Sequence, residues 1–260
     1  MRWLAIIGIL FLAGCSAIVE QSSEILSEPR VQHGPMATEL EKLPLLDGPV
    51  MTVGVYSFTD KTGQRKPNDR VANLSSAVTQ GAESWVIDAL LCAGNGAWFE
   101  VVERAGLDNL IKERQLIRST RENYLEDPEQ LQPMRFAGLI LEGGIVGYDS
   151  NVATGGAGAR YLGIGATTEY RVDTVTVAMR IVSVETGRVL VSVATEKTIA
   201  SYRSGTNFFK FLDMGTQALE TESGFSVNEP VNYAVRAAIE AGIIEMVYKG
   251  EQEDLWSFKQ

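Results

Sequence analysis

The stretch YRVDTVTVAMRIVSVETGRVLVSVATEKTIASY, residues 170–202, decides the fold. Tyr170 to Val184 reads as one long β-strand, Glu185-Thr186-Gly187 as a turn, and Arg188 to Tyr202 as the return strand, with Val189, Val191 and Val193 on one face. Both are far longer than the roughly five or six residues of an ordinary strand. A strand of that length can leave a soluble sheet and continue across a bilayer, where about 9 to 11 weakly alternating residues suffice.

The flanks of this pair extend the pattern. Upstream, Asn151 to Thr167 holds Gly155, Gly156, Gly158, Gly163 and Gly165 among Ala153, Ala157, Ala159, Tyr161, Leu162 and Ala166; it is too apolar for a linker and too glycine-rich for a helix. Downstream, Phe208 to Met214 is again β-like, Gly215 to Gly224 is polar, and Phe225 to Val227 resumes the strand pattern. Two hairpins follow, roughly Val152 to Val172 and Tyr202 to Phe225, with Tyr161, Tyr170, Tyr202, Phe208, Phe209, Phe211 and Phe225 in or beside them. On pattern alone two explanations stand: aromatic girdles of membrane-crossing hairpins, or a soluble twisted sheet with glycine bulges.

Working outward, Val50 to Phe58, Phe99 to Val102 and Phe136 to Tyr148 read as strands. Gln80 to Leu91 and Leu107 to Leu116 read as helices, the second with Leu107, Leu110 and Ile111 inward. The order β-α-β-α-β predicts a small α/β domain. Thr59 to Thr79 is a polar loop long enough to be functional. Glu229 to Val247 reads as a helix with one stripe of Val231, Val235, Ala238, Ile239, Gly242, Ile243 and Met246. Residues 16–47 read as a polar, irregular arm that lies along another subunit, and Trp256 and Phe258 fall in a polar tail.

The N-terminus reads as processed. Met1-Arg2 supplies a positive charge, Trp3 to Ala13 is a short apolar run, and Leu12-Ala13-Gly14-Cys15 looks like a bacterial lipobox. The run is too short for a spanning helix, which needs about 20 residues. Cys15 would carry the acyl chains, and two or more chains anchor a protein stably. Ser16 follows, not the aspartate that typically retains lipoproteins at the inner membrane, so the expected address is the outer membrane, facing the periplasm. That leaves Cys92 as the one thiol, expected to be buried at the end of the apolar run Ala89-Leu90-Leu91.

Composition removes whole classes of function. The chain has 260 residues, 23 basic and 33 acidic, a net charge of −10. Nucleic-acid binding needs cationic stripes and is not expected. One histidine, His33, and two cysteines argue against a metal site, and no cofactor is expected beyond covalent lipid on Cys15. No nucleophile or acid–base set stands out: Asp60 and Glu142 are isolated and read as solvated or paired. Gly155-Gly156-Ala157-Gly158 mimics a phosphate loop but lacks the Lys-Ser/Thr that a P-loop requires. Without a nucleotide site, and without a catalytic set, neither an enzyme nor ATP-driven transport is expected.

Several runs resemble one family. They are Val53-Gly54-Val55-Tyr56; Thr62-Gly63-Gln64 before Lys66-Pro67; Glu103-Arg104; Gly106-Leu107-Asp108-Asn109-Leu110; and Glu113-Arg114. The most specific is Glu142-Gly143-Gly144-Ile145-Val146-Gly147-Tyr148-Asp149-Ser150-Asn151-Val152, continuing as Gly155-Gly156-Ala157-Gly158-Ala159-Arg160-Tyr161-Leu162-Gly163-Ile164-Gly165. Thr195-Glu196-Lys197-Thr198-Ile199 and Ser226-Val227-Asn228-Glu229-Pro230-Val231 complete the set. In these stretches the chain resembles the CsgG family of outer-membrane curli secretion channels.

The resemblance implies an α/β periplasmic domain with two transmembrane β-hairpins that contribute to a shared oligomeric β-barrel, nine subunits giving thirty-six strands. It implies unfolded curli subunits as substrate, moved by ATP-independent diffusion, with a periplasmic capping factor and a nucleator-anchoring accessory factor as partners. It also implies a pore constriction in the loop after the first strand. There the relatives' asparagine and phenylalanine align with Asn73 and Leu74, and their tyrosine falls near Asn68, so two aromatic positions are lost. The implied boundaries are a signal peptide at 1–14 and a lipidated arm at 15–47. The periplasmic domain takes 48–151, 173–201 and 226–248, the hairpins 152–172 and 202–225, and the tail 249–260. The competing expectations are an outer-membrane-anchored periplasmic scaffold with no channel, and a lipid-anchored hydrolase.

Overall fold

A computed structural model of the chain describes residues 31–63, 78–125, 131–153, 164–211, 218–227 and 231–259. The described residues from Gly34 on form one compact unit. In this unit the elements run α1 (Ala37–Glu41), β1 (Met51–Asp60), α2 (Glu83–Cys92), β2 (Phe99–Glu103), α3 (Leu107–Thr120) with a π-helical turn (Arg121–Leu125), β3 (Leu139–Ala153), β4 (Ile164–Ser183), β5 (Val189–Phe211), β6 (Ala218–Val227) and α4 (Val231–Gln252). The expected β-α-β-α-β order holds for the first five major elements.

All six strands join one sheet in the order β2-β1-β3-β4-β5-β6. β1 pairs with β2 and with β3 in parallel, and the rest of the sheet is antiparallel. Helices α2 and α4 pack on each other and on the sheet, α2 over β1 and β2 and α4 over β4 and β5. The core lies between them and the strands. Val53, Val55 and Phe58 of β1 are buried together with Leu141 and Ile145 of β3, Val175, Val177, Met179 and Ile181 of β4, and Val191 and Ile199 of β5. Valine and isoleucine on the pleated face are what a half-buried sheet selects.

The core face of β1 is not strictly alternating, and a bulge explains why. Val55 pairs with Leu141 and Phe58 with Gly143, so three steps along β1 match two along β3. The extra residue turns Phe58 inward, while Tyr56 and Ser57 face outward. Gly143 is the counterpart of this arrangement: a Cβ there would run into the Phe58 ring and the Ala178 carbonyl.

The α4 stripe is found as expected, with Val235, Ala238, Ile239, Gly242, Ile243 and Met246 buried. Thr195 Oγ1 donates to the Ala238 carbonyl at 2.7 Å and Lys249 Nζ to the Ser192 carbonyl at 2.9 Å, which fixes the helix on β5.

Three details depart from the sequence reading. The arm does not run irregularly to residue 47: from Gly34 on it belongs to this unit, forms α1, and buries Leu40, Leu43 and Leu46. Leu46 bridges Phe258 of the C-terminal tail, with Asp47 N donating to the Ser257 carbonyl at 2.8 Å and Lys259 N to the Leu45 carbonyl at 2.8 Å. The tail is therefore part of the core. Trp98, fully buried, meets Phe99, Trp256 and Phe258, each at a ring-centroid distance of 5.9 Å, and its indole N–H donates to the Pro44 carbonyl at 2.7 Å. The second departure is α3, which buries no residue; Leu107 and Leu110 are half-buried and Ile111 is exposed. The third is Cys92, which is half-buried rather than fully enclosed.

Candidate functional site

The four strands β3 to β6 extend past the helix-backed core as a continuous antiparallel array. β4 and β5 pair from Val182 and Val189 out to Ile164 and Phe208, with one register shift, between Ile181 and Val182. β6 pairs with β5 only in the distal half, from Tyr202↔Val227 to Phe211↔Ala218. The long strands expected from residues 170–202 are thus longer still, at 20 and 23 residues.

A second bulge marks the root of the array. Ile145 pairs with Val177 and Gly147 with Thr176, leaving Val146 as the extra, exposed residue. β1 reaches only to Ile145 along β3. Beyond Val146, therefore, β3 continues with β4 alone among the described strands. Just past this point a buried carboxylate, Asp173, accepts from the Tyr148 hydroxyl at 3.4 Å.

On the face of the sheet away from α4, a shallow cavity of about 340 Å³ sits at this root. Tyr56, Lys61, Glu142, Val146, Arg180 and Ser192 are among its lining residues. Arg180 binds Glu142 through Nη2 at 2.6 Å and Nε at 3.2 Å. Glu142, isolated in sequence, is thus paired across β3 and β4. As an exposed pair it stabilises the sheet by at most about 1 kcal/mol.

Asp60, the other isolated acid, closes β1 and clasps the loop that follows. Its Oδ1 accepts from the Thr62 backbone N–H at 2.8 Å and the Thr62 hydroxyl at 2.6 Å; its Oδ2 accepts from Gln80 Nε2 at 3.2 Å. One carboxylate holds both ends of the segment that carries Asn68, Asn73 and Leu74. Those three residues, Cys15 and the Gly155–Gly158 run lie outside the described residues. His33 is exposed.

One feature of the domain escaped the sequence reading. Glu240 is 2% exposed on the inner side of α4. It accepts from the Met36 backbone N–H at 2.7 Å and from Arg236 Nε at 3.1 Å, and Arg236 also reaches Asp88 at 3.7 Å. A Cβ on Gly34 would collide with the Glu240 carboxylate. The signal in the sequence was an arginine four residues before an acid on α4, a spacing that places both on one helix face. Cys92 sits nearby, with Sγ 3.7 Å from the Ala37 carbonyl and 4.0 Å from Glu41. Burial, then the Glu41 and Glu240 charges, raise its pKa above the ordinary thiol value.

Among the described residues no group of three or more histidine, cysteine, aspartate or glutamate side chains is arranged to hold a metal, and no helix is long and apolar enough to cross a membrane.

Comparison with known proteins agrees along the whole of this unit. Residues 36–260 match the family model described as curli production assembly/transport component CsgG. The chain is 40% identical over 262 aligned residues to the protein of that name from Salmonella typhimurium, covering 99% of this chain and 91% of the relative. It is 38% identical, with the same coverage, to that of Escherichia coli K12. Among solved structures, the PelC dodecamer from Paraburkholderia phytofirmans is 12% identical and covers 80% of this chain and 90% of that one, at a TM-score of 0.25, too low to carry a structural argument. The described strands contain the glycine-rich β3 run and the Thr195–Ile199 run, and with this match they establish that the chain belongs to the CsgG family of curli production assembly/transport components.

Proposed function

We propose that the chain is one subunit of an outer-membrane channel that secretes unfolded curli subunits by diffusion, without ATP. The observation that carries this reading is the distal array: β4 from Ile164 to Val172, β5 from Ala200 to Phe211 and β6 from Ala218 to Val227 continue as paired strands beyond the core. Each has the roughly 9 to 11 residues that a bilayer-crossing strand needs. Four strands cannot close a barrel, and an open edge in lipid leaves backbone groups unpaired at several kcal/mol each. The reading therefore requires copies to share one barrel, nine of them giving thirty-six strands. Residues 152–172 and 202–225 form the two transmembrane hairpins.

In this reading Cys15 carries the lipid anchor in the outer membrane, and the α/β unit forms a ring in the periplasm. The loop clasped by Asp60 lines the narrowest point. Asn73, repeated around the ring, offers transient hydrogen bonds to a passing chain; Leu74 forms an apolar ring, and Asn68 stands where relatives carry tyrosine. A periplasmic capping factor and a nucleator-anchoring accessory factor bias the direction of transport.

Electron microscopy of detergent-extracted protein, viewed down the particle axis, tests the channel. A roughly ninefold ring with an open centre is expected. A monomer or small compact particle would overturn the reading in favour of a lipid-anchored scaffold. Single-channel conductance of Leu74→Phe tests the constriction: a changed conductance is expected, and a trace identical to the parent's removes Leu74 from the narrowest point.

A further inference from the structure

The connection between β2 and β3 is anchored to the domain yet poorly covered by it. Both strands run parallel to β1 on opposite sides, and the helix of such a crossover ordinarily lies on the sheet. Here α3 buries no residue, and its principal contacts among the described elements are with its own π-helical continuation. A half-buried line of Leu107, Leu110, Arg114 and Ile117 faces the chain. Ile111 and Leu116 are 40% and 57% exposed, and Tyr124 and Phe136, in the same connection, are 81% and 89% exposed. The ties are polar: at the root of the connection Glu103 Oε1 accepts from Gly106 N at 2.6 Å and Arg104 donates to the Arg135 carbonyl at 2.8 Å, and within it Arg114 donates to the Gln132 carbonyl at 2.6 Å. A helix of 14 residues is marginal alone in water, and exposed apolar surface of this kind marks an interface.

We propose that this lobe docks on a second copy of the chain, against the outer edge of that copy's β5. The inference rests on the channel reading and names the surface that joins the soluble parts of neighbouring subunits. Topology selects this occupant. Beyond Ile145, β3 has no strand partner on its β1 side among the described residues, and β6 has none on the side away from β5. β3 and β6 point in opposite directions, so a copy that closes the β3 edge does so with its own β6 as an antiparallel partner. β6 stops pairing with β5 at Tyr202, and nearer the domain the same side of the neighbour ends in β5, Val189 to Ile199. That edge comes to the β1–β2 side of the first copy, where the lobe hangs.

The test uses the full lipidated chain. Leu116→p-benzoylphenylalanine is irradiated in extracted particles and cross-linked peptides are identified by mass spectrometry. Ile111→Glu with Leu116→Glu is assayed beside it for ring yield and for the thermal unfolding of the α/β unit. Cross-links to residues 189–199 of another copy are expected, with a ring yield lower by about tenfold, as when an interface centre is disrupted, and an unfolding midpoint unmoved. Intact parental rings whose cross-links fall only within one copy, on lipid or on another protein would overturn the docking site and leave the channel standing. Parental protein that forms no ring would overturn the channel reading, and this one with it.

Discussion

The near and distal halves of β4 and β5 belong to the same two strands, yet their settings differ. In the near half, Val175, Val177, Met179 and Ile181 face a core closed by α2 and α4, and Val191 and Ile199 join them from β5. In the distal half the partners are strands, β3 and β6, with no helix interposed in the hydrogen-bonded ladder. Hydrogen bonding is continuous across the boundary. The near half is complete within one chain, whereas in the channel reading the distal half obtains its burial from lipid and from other copies. Substitutions on the two sides should accordingly fail in different ways.

Trp98→Ala gives the largest expected effect. It removes a fully buried indole that joins the arm, β2 and the C-terminal tail. Loss of such a side chain costs about 3–5 kcal/mol, and for a chain of this size lowers the melting midpoint by roughly 10 °C. Calorimetry should show this loss, and a midpoint unmoved would mean that the tail is not part of the core.

Thr206→Pro is the matching test of the distal half. Thr206 pairs with Ala166 on one side and Ser223 on the other, so it occupies an interior strand where proline removes a ladder donor. The unfolding midpoint of the α/β unit should stay within about 2 °C of the parent, below the shift expected for a 1 kcal/mol change, while rings and exported curli are lost. A fall in midpoint as large as for Trp98→Ala would show that the two halves are not separable.

Much of this division was legible in the sequence, because strand length and alternation are local properties. Residues 170–202 declared two long antiparallel strands, and the α4 stripe declared its buried face. What could not be read were contacts made by residues far apart. Leu40, Leu43 and Leu46 lie in a proline-broken polar stretch and become core only through distant partners: α1 packs on α2 and α4, and Leu46 meets Phe258, more than two hundred positions later. Helical spacing points Ile111 inward, but spacing gives a face and not whether the chain supplies anything to cover it. Glu142 reads as isolated because its partner Arg180 lies 38 residues on, and Asp60 because Gln80, which closes its clasp, lies 20 residues on and Thr62, its nearer partner, is uncharged.

The clasp on α4 offers a smaller effect, and it is a tertiary one. Glu240→Gln keeps an acceptor for the Met36 N–H but removes the charge facing Arg236, and Gly34→Ala forces the carboxylate aside. Each should destabilise by about 1–3 kcal/mol, the cost of disturbing a buried hydrogen-bonded charge. Because both act on one carboxylate, the double variant should lose less than the sum. Strict additivity in thermal melts would mean that the arm and α4 are not coupled through Glu240.

The smallest effect concerns Cys92, where a single thiol reports on the seam between α1 and α2. Burial comes first among the causes that hold its proton, followed by the negative charges of Glu41 and Glu240; Arg236 works in the opposite sense. Because the folded-state pKa lies above that of the unfolded chain, folding favours the protonated thiol. Stability is therefore fully present below the unfolded thiol's pKa and declines as pH rises through the folded value. Alkylation by iodoacetamide, followed against pH, should show its midpoint above that of a free thiol, and Glu41→Gln should move it down by removing the nearest negative charge. With Cys15 consumed by lipid in the proposed mature chain, the signal comes from Cys92 alone. A midpoint that ignores Glu41 would place α1 away from α2 in solution and break the inclusion of the arm in the near half.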